Sequence, residues 1–74
     1  MTTDAFEKVA KAAADEGLVA ELQHNPEPVA LFYRKGRLVV AYRPDDHVAV
    51  VQPGNERVVC RTGRDALRLA MCAE

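Results

Sequence analysis

A chain of 74 residues, 49% apolar and 28% charged, has the balance of one small globular domain and not that of a disordered tail. Its formal charge of -1 and pI near 6.1 lie far from the strongly basic footprint of a dedicated nucleic-acid binder, and no apolar run approaches the roughly 20 residues that span a bilayer. On size alone such a domain builds a core worth about 3–5 kcal/mol, so association with another chain is one route to added stability.

The chain opens with Thr2, Thr3 and Asp4 as candidate N-cap oxygens, and Asp4 with Glu7 fits a capping box in which Asp replaces Ser or Thr. A helix is predicted from near Ala5, with Phe6, Val9, Ala10 and Ala13 on one stripe and Glu7, Lys8, Lys11 and Asp15 outside it. Gly17 stands where a left-handed residue closes a helix. The stripe is mostly alanine, so this helix can approach a sheet closely, and Ala30 and Ala41 offer it a shallow seat. Leu18 to Gln23 tolerates either helix or strand. Because glycine costs a helix about 1 kcal/mol relative to alanine, and Leu18, Ala20 and Leu22 alternate, the strand is favoured. His24-Asn25-Pro26-Glu27-Pro28 follows as a turn, since two prolines remove donors and bias their predecessors away from helix.

The segment from Val29 to Gln52 organises the rest. Three apolar runs are separated by Lys35-Gly36 and by Pro44-Asp45-Asp46, which predicts an antiparallel meander. With Arg34 opposite Arg37 across the first turn, a regular ladder pairs Tyr33 with Leu38, Leu31 with Val40 and Val29 with Tyr42 on one face. Ala30, Phe32, Val39 and Ala41 then fall on the other. Both faces are apolar, whereas a sheet with one wet side alternates apolar with polar, so each face is expected to be covered. Pro53-Gly54 matches a type II turn. Arg57 to Arg61 reads as a short edge strand, where charge discourages stray pairing. Thr62 and Asp65 open a second helix running through Ala66, Leu67, Leu69, Ala70, Met71 and Ala73, too short to be stable without packing. The expected fold class is α+β: an N-terminal helix, an antiparallel β-meander of four to five strands and a short C-terminal helix, in one domain over residues 1–74.

Chemistry-bearing clusters are sparse. Asp45-Asp46-His47 holds residue types that bind metals or move protons, but adjacent turn residues rarely converge on one ion and aspartates cap turn amides. His24 reads as a loop residue. Cys60 and Cys72 form neither a disulfide framework nor a metal set and read as reduced core thiols. Gly63-Arg64-Asp65, with Arg61 nearby, can present a helix start to an anion, but a capped helix start accounts for it. No phosphate loop, zinc motif or other cofactor signature is present, and a non-enzymatic protein without cofactor is expected.

Two features point towards partners. The bulky face predicted for Val29, Leu31, Tyr33, Leu38, Val40 and Tyr42 exceeds what two short helices can cover together with the opposite face, which predicts a protein interface: a homodimer, a larger protein partner, or both. Arg34, Lys35 and Arg37 surround the first hairpin tip and form the alternative, a nucleic-acid contact. Charge is also split along the chain: residues 1–28 carry two bases against six acids, residues 29–74 eight against five, and opposite-signed surfaces can complement a second copy. The opening MTTDAFEK lacks a basic segment followed by an apolar core, so a cytoplasmic location is expected. Arginine outnumbers lysine seven to three and isoleucine is absent, which suggests a GC-rich coding genome and a bacterial or phage source. The expected function is a small binding or regulatory protein.

Overall fold

The computed structural model describes residues 3–24 and 27–72, with side chains from Phe6 onward. The predicted N-cap at Thr2, Thr3 and Asp4, the Asn25-Pro26 part of the predicted turn, and Ala73 lie outside the described residues and side chains. The order of elements is α1 (Thr3–Asp15), β1 (Val19–Gln23), β2 (Val29–Arg34), β3 (Arg37–Arg43), β4 (Val48–Val51), β5 (Glu56–Val59) and α2 (Gly63–Cys72). The five strands form one antiparallel sheet in the order β1-β2-β3-β4-β5, so the fold is the expected α+β meander, and the segment after Gly17 is a strand from Val19, one residue later than expected.

Local chemistry explains the joints. Gly17 takes φ +76°, and the Leu18 amide donates to the Ala13 carbonyl while the Gly17 amide donates to that of Ala14, a double closure that ends α1 and turns the chain into β1. Lys35 and Gly36 both have positive φ, the two-residue geometry that matches the twist of paired strands. The Asp65 amide donates to Thr62 Oγ1 at 3.3 Å, which caps α2 as predicted. The fourth turn differs from expectation: the Gln52–Pro53 peptide is cis, and Asn55 takes the left-handed conformation in place of Gly54, so it is not a type II turn.

Both helices pack on the same face of the sheet. The core joins Val9 and Ala13 of α1 and Ala66, Leu67 and Ala70 of α2 to Ala30, Phe32, Val40, Tyr42 and Ala49 of the strands, with Leu18 and Cys60 closing it at the ends. Across the central strands the Tyr42 ring stands between Ala30 and Ala49, two small neighbours that leave it room under the helices. Arg34, at the end of β2, reaches the last turn of α2 and donates from Nη2 to the carbonyls of Ala70 and Met71, each at 3.4 Å, where a cation offsets the negative end of the helix.

An uncovered apolar sheet face

Pairing registers fix which residues share the face away from the helices. Glu21 pairs with Leu31, Leu31 with Ala41, Ala41 with Val50 and Val50 with Arg57, forming one row across all five strands. A second row holds Val19, Tyr33 and Leu38, and a third holds Gln23, Val29, Arg43, Val48 and Val59. Val29, Tyr33, Leu38, Ala41, Val48 and Val50 are half-buried by their neighbours in the sheet alone. Among the described residues Leu31, at 9% exposure, is the one buried hydrophobic residue that lies outside the helix-side core. Val19 and Val59, on the two edge strands, are 60% and 76% exposed. Among the described residues, the core that joins both helices to the sheet lies on the opposite face.

Four of the six predicted interface residues, Val29, Leu31, Tyr33 and Leu38, lie on it together. The other two do not: Val40 and Tyr42 are 0% and 2% exposed, beneath the helices, where no partner reaches them in the folded monomer. The cause is a β-bulge. Tyr33 pairs with Leu38 as expected, but Phe32 pairs with Val40, so Val39 is an extra residue and everything beyond it changes face relative to a regular ladder. The same slip moves Ala41, expected under α1, to the open face, while Val39 stays on the helix side with Ala30 and Phe32, as expected. Ala41, Val48 and Val50 are the central members missed by a regular register, although the alternation of Val48 and Val50 around the small Ala49 carried the signal.

The remaining candidates separate. Arg34 is engaged with α2, whereas Lys35 and Arg37 are exposed at the hairpin tip. Asp45, Asp46 and His47 lie in the exposed β3–β4 turn, where the Asp46 amide bonds to the Arg43 carbonyl and the Asp46 carboxylate lies 2.9 Å from the Arg43 guanidinium, which also meets Glu27. No group of three His, Cys, Asp or Glu among the described residues is arranged to hold a metal ion. Cys60 is buried as expected, whereas Cys72, expected in the core, is exposed near the end of α2. Tyr42 donates its hydroxyl to the Cys60 carbonyl at 3.2 Å within the core. Burial, reinforced by the nearby Cys60 and Asp65, pushes the Tyr42 phenol above its ordinary value, and burial with Asp65 does the same to the Cys60 thiol, so both are held neutral. A cleft of about 290 Å³ lies between Val9, Tyr42, Pro44, His47 and the start of α2, and its walls are mostly apolar. Among the described residues no helix is long and apolar enough to cross a membrane. Compared with protein-family models, curated proteins and solved structures, the chain matches none.

Proposed function

We propose that this protein is a small non-enzymatic binding module of regulatory type, which acts by pressing its uncovered sheet face against another protein. One observation carries the reading: α1 and α2 share one side of the sheet, and the opposite side presents Val29, Leu31, Tyr33, Leu38, Ala41, Val48 and Val50 as a contiguous apolar surface. Antiparallel sheets with a solvated side alternate apolar with polar residues, and this one does so only at its margins, at Glu21, Gln23, Arg43 and Arg57. An apolar centre with a charged rim is the anatomy of a protein interface.

Val50→Lys tests it, since Val50 lies at the middle of the face and outside the core. The variant keeps the wild-type circular dichroism, and its unfolding midpoint equals that of wild type diluted to the monomer, while the association and the hydrophobic-dye binding of the wild type are lost. A wild-type chain that binds no dye as a monomer and associates with nothing, itself included, overturns the reading.

A further inference from the structure

We infer that the occupant of the uncovered face is a second copy of this chain, related by a two-fold axis that runs parallel to the strands over β3. This rests on the reading of that face as a protein-binding surface and adds the partner and its orientation.

Charge selects the arrangement. The central row of the face reads Glu21, Leu31, Ala41, Val50, Arg57, with an acid on edge strand β1, a base on edge strand β5 and only apolar residues between. Both end residues are exposed, and among the described residues neither has an ion-pair partner within the chain. Two copies can stack face to face with aligned strands about either of two in-plane axes. An axis across the strands sets β1 on β1 and places Glu21 against Glu21 and Arg57 against Arg57. An axis along the strands sets β1 on β5, so that Glu21 of each copy meets Arg57 of the other and Ala41 meets Ala41 at the centre. Only the second arrangement pairs opposite charges, and it forms the pair twice. Arg43 lies on that axis at the sheet margin, but it brings its own carboxylates, Glu27 and Asp46, so its approach to its counterpart is compensated.

Size fits a dimer that forms and dissociates. Strand spacings of about 4.8 Å and side-chain rows about 7 Å apart give a footprint of about 500 Å² for each copy. The pair therefore buries about 1,000 Å², near the lower limit for a specific interface and in the range of transient ones. The adhesion comes from the small central side chains Ala41, Val50 and Val48 with Leu31, Leu38 and Tyr33 around them.

The experiment is sedimentation equilibrium of four full-length chains: the wild type, Glu21→Arg, Arg57→Glu and the double exchange. The wild type is expected to show a monomer–dimer equilibrium. Each single reversal sets like charges together at both ends and raises the dissociation constant by about tenfold, given what exposed ion pairs contribute. The double exchange restores opposite charges and returns the constant to within about threefold of the wild type. Equal circular dichroism of all four chains shows that association, not folding, has changed. Single reversals that leave the constant unchanged, or a double exchange that remains as weak as the singles, overturn this arrangement. A wild type that stays monomeric at every concentration also overturns it. If that monomer still binds a hydrophobic dye, the protein-binding reading of the face survives and only the self-partner is lost; if it binds none, both fall.

Discussion

Tyr33 and Tyr42 show how far apart two chemically identical side chains can be placed by one extra residue in a strand. Tyr33 belongs to the open face, whereas Tyr42 is buried between Ala30 and Ala49 with its hydroxyl on the Cys60 carbonyl. Tyr42→Phe leaves that carbonyl short of a donor in the core and should cost about 1 kcal/mol of stability, read as a lowered urea midpoint. The same residue sets an alkaline limit. Since burial raises the Tyr42 phenol above 10.0 and the Cys60 thiol above 9.0, the unfolded chain gives up both protons at a pH where the folded chain still holds them. Their contribution is therefore whole below about pH 9 and is lost as pH rises through the folded values. Unfolding midpoints at about pH 8 and about pH 10.5 should differ less in Tyr42→Phe than in the wild type, and an equal fall in both chains removes this account.

At the scale of elements, the contact between Arg34 and the end of α2 ties the hairpin to the C-terminal helix. A ten-residue helix has little stability of its own, so the cation at its last carbonyls matters more than it does on a long one. Arg34→Ala should destabilise the fold by about 1 kcal/mol and speed amide exchange in Leu69 to Cys72 more than in β2 and β3. Uniform acceleration across the chain would show instead that the arginine stem, packed as a wedge, is what counts. Most of these elements were legible beforehand because their ends carry chemistry: Gly17, Lys35-Gly36, Pro44-Asp45-Asp46 and Thr62 each mark a boundary that the structure keeps. The bulge was not, and for a physical reason. Leu38, Val39, Val40 and Ala41 are all apolar, so no polar residue in the run reports which face is outward, and a regular ladder and a bulged one satisfy the pattern equally. Tertiary packing decides between them, by giving the large Tyr42 ring the space between two alanines. The side chosen by the helices was equally hidden, because both faces of the sheet are greasy enough to seat them.

For the molecule as a whole, the proposed self-association ties stability to concentration. A chain this small has a limited helix-side core, and the second apolar surface can contribute only when something covers it. If two folded chains cover it for each other and unfolded chains do not, unfolding must dissociate the pair, and mass action makes the midpoint depend on concentration. A tenfold rise in protein above the dissociation constant adds about 1.4 kcal/mol per dimer, or half that per chain. A domain of this length shifts by about 4–8 °C per kcal/mol, so the melting temperature should climb by roughly 3–5 °C for each decade of concentration. Val50→Lys, with its charge at the centre of the face, should melt at one temperature throughout, and Glu21→Arg should begin to climb only about a decade higher in concentration than the wild type. Differential scanning calorimetry over a dilution series measures all three. A wild-type melting temperature that is flat across the series would mean that the helix-side core alone carries the fold and that the open face adds nothing to it by self-association.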